Sequence, residues 1–202
     1  ATPGKAELTI ELSISARTDC SMPIGLHPVF ALPGEPGSML LDPGIYGSVW
    51  TYPLEEQPGL SIFAPDIIFR DLARAPTRDG STADARVLPY AFASETLLLL
   101  TQASGEVALV NKTDGYRTDL AWDPEIFPSL MLWISNRGRQ AKPWSGRHLA
   151  IGIEPVCAAF DLGQNIGSGQ NPLNKAGIPT TWNFKAGSTL RTRYAIKTSE
   201  WT

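Results

Sequence analysis

The chain has 202 residues, of which 43% are hydrophobic and 18% are charged, with 18 glycines and 17 prolines. This composition is typical of one globular domain with a substantial core and many turns, and it excludes disordered and collagen-like chains. The formal net charge of −3 provides no basic field to hold a phosphate backbone, so a nucleic acid is not expected as a partner.

The two cysteines, Cys20 and Cys157, have neither a second cysteine nor a histidine at ligand spacing. A zinc site or a disulfide framework is therefore not expected, and we interpret them as reduced thiols of a cytoplasmic protein. The sequence has no run of about 18 apolar residues for a membrane-spanning helix. The first residues, Ala1 to Lys5, lack the order of a signal peptide.

The N-terminal half predicts β-strands separated by turns. Residues 6–15 alternate strictly, with Leu8, Ile10 and Leu12 on one face, which predicts a half-buried antiparallel strand. The next segment, residues 20–30, places prolines and a glycine around His27, at a point where a strand meets a loop. Residues 38–90 are interrupted so often by proline and glycine that only short strands fit there.

The C-terminal half predicts longer strands. Residues 97–100 are four leucines and indicate a strand buried on both faces. Strands are also predicted over residues 106–111, 116–122, 130–134 and 189–198, with an Asp114-Gly115 turn joining the first two. A single helical turn is predicted over residues 155–162. No amphipathic helix of three turns is present, so the predicted architecture is an all-β sandwich.

One carboxylate lies where a β-protein normally places an aliphatic residue. Glu154 ends the apolar run that begins at Leu149, and burying it costs several kcal/mol unless it is hydrogen-bonded or functional. His27 is the other titratable group set among apolar and turn residues, so the two could form an acid/base pair. On general grounds, His27 could instead be a structural, hydrogen-bonded histidine, and Glu154 a partner in a buried ion pair with an arginine.

The motifs around these two residues resemble those of the aldose 1-epimerase (galactose mutarotase-like) superfamily. They are the segment Pro23-Ile24-Gly25-Leu26-His27-Pro28-Val29-Phe30, a Trp-bearing strand, a Pro143-Trp144 loop and Gly152-Ile153-Glu154-Pro155. The resemblance implies a β-supersandwich, a large antiparallel two-sheet sandwich, as a single domain over residues 1–202 with a small-molecule carbohydrate as its ligand. Members of the superfamily carry additional N-terminal strands, so either this chain is the larger part of a longer protein or its cleft is incomplete.

The resemblance also implies roles for individual residues. His27 matches the catalytic acid and Glu154 the catalytic base, while Glu95 matches less closely a carboxylate that binds sugar hydroxyls. The segment around His27 departs from the Asn-His-x-Tyr-Phe-Asn form of well-studied mutarotases, which leaves the substrate open.

Aromatic and basic residues near Glu154 are further substrate-binding candidates. Trp133 and Trp144 flank the loop that precedes Glu154, and an indole face can stack on a sugar ring, although Trp133 is equally suited to a core. Arg137 and Arg139, with Lys142 and Arg147, could clamp a sugar phosphate or could form a solvated edge. His148 is predicted to be solvated.

The predicted function is therefore that of an aldose 1-epimerase-like isomerase, which interconverts sugar anomers by acid/base ring opening. This chemistry requires neither a metal ion nor a redox cofactor. Three alternatives are open. The first is a hexose-6-phosphate epimerase that uses the basic loop, which contains Arg137, Arg139, Lys142 and Arg147. The second is a carbohydrate-binding module that does not catalyse a reaction, and the last is a purely structural β-sandwich, which leaves the setting of Glu154 unexplained.

Overall fold

A computed structural model describes residues 4–201, so residues 1–3 and 202 of the predicted domain lie outside the described range. Antiparallel β-strands dominate the described chain, with these bounds: β1 (Glu7–Ser15), β2 (Cys20–Met22), β3 (Ile24–Gly25), β4 (Val29–Ala31), β5 (Met39–Asp42), β6 (Ser48–Thr51), β7 (Ile68–Phe69), β8 (Ala75–Pro76), β9 (Thr82–Ala83), β10 (Val87–Leu88), β11 (Ser94–Thr101), β12 (Glu106–Asn111), β13 (Tyr116–Trp122), β14 (Ser129–Asn136), β15 (Leu149–Cys157), β16 (Trp182–Phe184) and β17 (Thr189–Glu200).

Helical structure is confined to short segments. A 3₁₀ turn covers Leu72–Arg74, and two α-helices follow β15: α1 (Gln164–Ser168) and α2 (Pro172–Lys175). The prediction that no long amphipathic helix exists is confirmed for residues 4–201, and none of the helices there is long and apolar enough to span a membrane. The predicted helical turn over residues 155–162 is wrong, because β15 continues through Cys157 and keeps pairing with β3.

The strands form two principal sheets. The six-stranded sheet has the order β1-β17-β13-β12-β5-β10, and the seven-stranded sheet has the order β3-β15-β14-β11-β6-β7, with β4 also pairing with β15. The main core is formed by buried side chains of both sheets, among them Leu41, Leu109 and Leu120 from the first and Leu98, Leu132 and Ile153 from the second. The predicted all-β two-sheet sandwich is confirmed.

The predicted strands are largely present. β1 pairs with β17 along its whole length, from Glu7 opposite Lys197 to Ser15 opposite Thr189. No strand between residues 38 and 90 is longer than four residues. The hairpin between β12 and β13 turns at Gly115, whose φ of +66° is a conformation that glycine adopts without strain.

The seven-stranded sheet is buried on both faces, as the four leucines of β11 predicted. Leu98 and Leu100 point into the main core, whereas Leu97 and Leu99 belong to a second cluster on the opposite face. Residues from the segment after β15 complete that cluster, including Phe160, Leu173 and Ile178. This opposite face, which we call the outer face, carries the site described below.

The two cysteines are unpaired, as predicted. Burial raises the pKa of the Cys157 thiol to about 11, so at neutral pH this thiol is protonated and unreactive.

Candidate active site

His27 is fixed opposite the middle of β15 by backbone hydrogen bonds on both sides of it. The amide of Leu26 donates to the carbonyl of Pro155, and the amide of Ile153 donates to the carbonyl of Pro28. The short strands β3 and β4, which flank the histidine, both pair with β15. The His27 backbone is thereby held beside Glu154, while its side chain remains 62% exposed.

Glu154 meets His27 at the outer face, as the sequence predicted. Its side chain is 7% exposed, and Oε1 lies 2.7 Å from His27 Nδ1. The contact is not aligned as a hydrogen bond, and Oε1 accepts none from the described residues. Burial first, and then the negative charge of Asp161, raise the pKa of Glu154 to about 8. A carboxyl group in this environment can exchange a proton near neutral pH.

Gly152 makes room for the Glu154 carboxylate. Both residues project to the outer face, two positions apart on β15. A Cβ atom added at Gly152 would lie 2.2 Å from Glu154 Oε1 and 3.1 Å from Trp133 Cβ. A side chain at this position would therefore displace the carboxylate.

We expect Gly152→Ala to fold but to lose about 10- to 100-fold in the rate of the predicted anomer exchange, because a shift of about 1 Å in a reacting group has that effect. The displaced atom is the end of a flexible side chain, so thermal stability should change little. The matched control is Gly34→Ala, since no atom lies within 4 Å of a Cβ there. Unchanged anomer exchange by Gly152→Ala would show that the carboxylate position is not critical.

Glu95 is a buried anchor for the aromatic and basic side chains of the site. It is fully buried, and its two oxygens accept hydrogen bonds from Trp133 Nε1 at 2.6 Å, Ser135 Oγ at 3.0 Å and Arg139 Nε at 2.8 Å. It therefore lies beneath the cavity wall, and a direct contact between Glu95 and a sugar stays a prediction. Its contacts in this structure act through Trp133 and Arg139.

Arg139 bridges two carboxylates over an aromatic surface. Its second guanidinium nitrogen donates to Glu56 Oε2 at 2.8 Å. The guanidinium carbon lies 4.7 Å from the ring centroid of Trp133 and 5.6 Å from that of Trp144. Arg139 is thus held by two ion pairs and two aromatic rings, which use two of its five N–H donors.

These side chains surround a cavity of about 320 Å³ on the outer face. Among the predicted site residues, His27, Trp133, Arg139, Trp144 and Glu154 line it together. The remaining lining residues are Glu56, Leu97, Met131 and Asp161. The fold therefore gathers most of the predicted residues into one chamber, and we call this chamber the outer-face cavity.

Glu56 and Asp161 are lining residues that sequence reasoning missed. Glu56 lies in the loop between β6 and β7, and Asp161 follows β15. Burial first, and then the Asp161 carboxylate, raise the pKa of Glu56, although Arg139 opposes this. Neither residue belongs to an alternating pattern, so the only available signal was a carboxylate in a proline- and glycine-rich loop.

The prediction that His148 is solvated is wrong. Its ring stacks on Trp133 at a centroid distance of 5.2 Å, and its Nδ1 lies 2.9 Å from Ser135 Oγ. The Ser135 hydroxyl donates its single hydrogen to Glu95, so His148 Nδ1 carries a hydrogen and donates to Ser135. This leaves Nε2 as the second hydrogen-bonding atom of the ring.

The rest of the basic loop lies outside the cavity lining. Arg137 does not line the outer-face cavity. Within residues 4–201, Arg137, Lys142 and Arg147 form no ion pair. Arg147 does line an adjacent open pocket of about 490 Å³ with Pro143, Trp144 and His148. Trp144 is thus shared between the two pockets.

The described residues contain no group of three His, Cys, Asp or Glu side chains arranged to hold a metal ion. The carboxylates of the outer-face cavity are instead distributed around Arg139 and His27. The arrangement offers hydrogen-bond acceptors, one acid/base pair and aromatic surface, a combination suited to a small polyhydroxylated ligand.

No protein-family model matches the sequence, and a search of curated proteins finds no match. Solved structures do match. A candidate aldose 1-epimerase from Escherichia coli K12 is 14% identical with a TM-score of 0.63, and the match covers 96% of this chain and 57% of that protein.

Two further structures match in the same way. A candidate aldose 1-epimerase from Klebsiella pneumoniae is 15% identical with a TM-score of 0.57, and the match covers 98% of this chain and 44% of that protein. A galactose mutarotase-like protein from Clostridium acetobutylicum is 13% identical with a TM-score of 0.53, and the match covers 96% of this chain and 52% of that protein. The chain thus spans about half the length of these proteins, and it has the β-sandwich fold of the galactose mutarotase-like proteins.

Proposed function

We propose that the protein is an aldose 1-epimerase-like isomerase that interconverts the anomers of a hexose. The observation that carries this proposal is the approach of His27 Nδ1 to Glu154 Oε1, at 2.7 Å, in a cavity lined by indole rings and carboxylates. The fold of the solved structures supports it, although a fold alone does not fix a reaction.

The reaction needs a base for the anomeric hydroxyl and an acid for the ring oxygen. The Glu154 carboxylate takes the proton from the hydroxyl on C1, while the protonated His27 gives a proton to the ring oxygen. The bond between C1 and the ring oxygen breaks, and an open-chain aldehyde forms. Rotation about the C1–C2 bond and the reverse proton transfers close the ring as either anomer. All atoms and electrons balance without a cofactor.

The sugar must enter between the two groups. His27 is the movable partner, because its side chain is 62% exposed whereas that of Glu154 is 7% exposed. Glu154 is held by its buried position beside Gly152 and Trp133. Binding of the sugar ring therefore moves the His27 side chain away from the Glu154 carboxylate, which stays in place.

The test is the rate of anomer exchange, measured by NMR saturation transfer, for a panel of hexoses and hexose 6-phosphates. We expect acceleration for at least one free hexose. Line broadening of a sugar without acceleration would instead support a carbohydrate-binding module, and absence of both would reject the proposal.

A second candidate is a hexose-6-phosphate epimerase. It is favoured by Arg147, which forms no ion pair within residues 4–201. Arg147 lines the open pocket next to the outer-face cavity. A phosphate on the far side of the sugar could reach Arg147 there. The engagement of Arg139 by Glu95 and Glu56 weighs against it. Acceleration confined to the 6-phosphates would select this candidate.

The active form carries an ionised Glu154 and a protonated His27, so we expect the ionisation of Glu154 to raise the rate with pH and the loss of the His27 proton to lower it. Glu154 acts as a base only when ionised, and burial and Asp161 raise its pKa to about 8. Below that value the ionised fraction falls by a factor of about ten for each pH unit. The measurement is kcat/KM for anomer exchange between pH 5.5 and 9, corrected for the buffer-catalysed rate. A profile of the same shape in the wild type and in Glu154→Gln would contradict the assignment of Glu154 as the base.

A further inference from the structure

The outer-face cavity contains more acidic than basic groups. Three carboxyl groups line it, those of Glu56, Glu154 and Asp161, against one guanidinium and one imidazole. The guanidinium of Arg139 is already paired with Glu95 and Glu56. The cation that remains for Glu154 and Asp161 is His27, when it is protonated.

The Asp161 carboxylate is the centre of this negative field. It lies close enough to Glu56, Glu154 and Tyr52 to raise the pKa of each of them, in addition to the effect of burial. Glu56 and Asp161 both line the outer-face cavity, so their carboxyl groups share its wall. Two such groups repel each other, so a further negative charge brought beside them would be repelled as well.

The cavity also contains a buried acceptor, Glu154 Oε1, whose contact with His27 Nδ1 at 2.7 Å is not aligned as a hydrogen bond. Glu154 Oε1 accepts no hydrogen bond from the described residues, although its side chain is only 7% exposed. Buried carboxylate oxygens are normally hydrogen-bonded, so this atom indicates a ligand that brings its own donor. Hydroxyl groups are such donors and carry no charge, whereas a carboxylate or phosphate brings acceptors only.

We propose that Glu56 and Asp161 determine specificity in the outer-face cavity, by accepting hydrogen bonds from the hydroxyl groups of an uncharged sugar and repelling sugars that carry a negative charge within it. This inference rests on the proposed function, because it concerns the ligand of the same site. It assigns a role to two residues that take no part in the proton transfers.

The direct test compares glucose with glucuronate, which share a ring and differ by a carboxylate. Dissociation constants are measured by NMR titration for the wild type and for Asp161→Asn and Glu56→Gln, which remove charge at constant size. We expect the wild type to prefer glucose by at least tenfold, and each variant to reduce that preference by at least fivefold. Asp19→Asn is the control, because Asp19 pairs with Lys185 away from the cavity. An unchanged preference in both cavity variants would overturn the proposal.

A second readout does not depend on sugar binding or catalysis. Fluorescence quenching by iodide, an anion, is compared with quenching by neutral acrylamide, and the contribution of Trp144 is obtained by difference from Trp144→Phe. We expect Asp161→Asn to raise iodide quenching of Trp144 at least twofold relative to acrylamide quenching. An unchanged ratio of iodide to acrylamide quenching would show that the carboxyl groups do not repel anions from the cavity. A changed ratio in a protein that catalyses no anomer exchange would show that the field exists while the proposed function fails.

Discussion

Glu154→Gln is expected to lower the rate of anomer exchange by about 10³-fold, within the range of effects found for a positioned general base. Glutamine preserves the size of the side chain but cannot take a proton from the anomeric hydroxyl. The measurement is NMR saturation transfer on whichever sugar the wild type accepts, with wild type and variant at equal concentration. Glu125→Gln, a change at an exposed glutamate, is the matched control.

The same variant should be more stable than the wild type at alkaline pH. The pKa of Glu154 is about 8 in the folded protein, against an ordinary value of 4.5, so the folded state holds this proton more tightly than the unfolded state. Stability is therefore lost as pH rises from about 4.5 to 8. We expect Glu154→Gln to recover on the order of 2 kcal/mol at pH 8.5 and nothing at pH 4, with part of the cost in the wild type already screened by His27 and solvent.

Reduced activity with raised stability is a combination that a purely structural glutamate would not produce. Full activity in Glu154→Gln would reject the acid/base mechanism. Equal loss of activity and stability would instead indicate that the carboxylate supports the fold.

Glu95→Ala is expected to destabilise the protein by about 3–5 kcal/mol, the usual cost of removing one partner of a buried ion pair. The change would leave Trp133, Ser135 and Arg139 without the acceptor that each now uses. Urea denaturation measures the loss directly, provided that the slope with denaturant stays constant. We expect the melting temperature to fall by about 6–20 °C, at roughly 2–4 °C for each kcal/mol.

Two further variants distinguish the loss of the buried ion pair from a non-specific loss of stability. Glu11→Ala removes an exposed glutamate from β1 and should change stability by less than about 0.5 kcal/mol. Glu95→Ala combined with Arg139→Ala should cost less than the sum of the two single changes, because the double variant leaves no unpaired guanidinium. Strict additivity would show that the two side chains do not stabilise each other.

The alternating and leucine-rich segments were sufficient to predict the sandwich, because strand periodicity is a local property of the sequence. The alternating segment forms β1 from Glu7 to Ser15, and the four leucines at residues 97–100 lie within β11. The pairing of His27 with Glu154 was predicted from their positions among apolar and turn residues, and the family resemblance implied the same pair. No local pattern reveals that β3 and β4 both pair with β15, since the two segments are more than a hundred residues apart.

The parts of the site that were missed depend on loops and on long-range contacts. Asp161 follows β15. The predicted end of this strand was too early, because Pro155 was interpreted as the start of a helical turn. Pro155 instead lies inside β15, where its carbonyl accepts from Leu26. His148 was expected to be solvated because its neighbours are polar, but it stacks on Trp133 and lines the pocket next to the outer-face cavity.

Alternate residues of each strand in the seven-stranded sheet face opposite sides, so substitutions on the two sides affect different parts of the molecule. On β14, Leu130, Leu132 and Ile134 pack in the main core, while Met131 and Trp133 belong to the outer face. A combinatorial library restricted to outer-face positions such as Leu97 and Met131 would therefore reshape the cavity and leave the sandwich core intact. Cavity lining and main-core packing are thus set by alternate residues of the same strand.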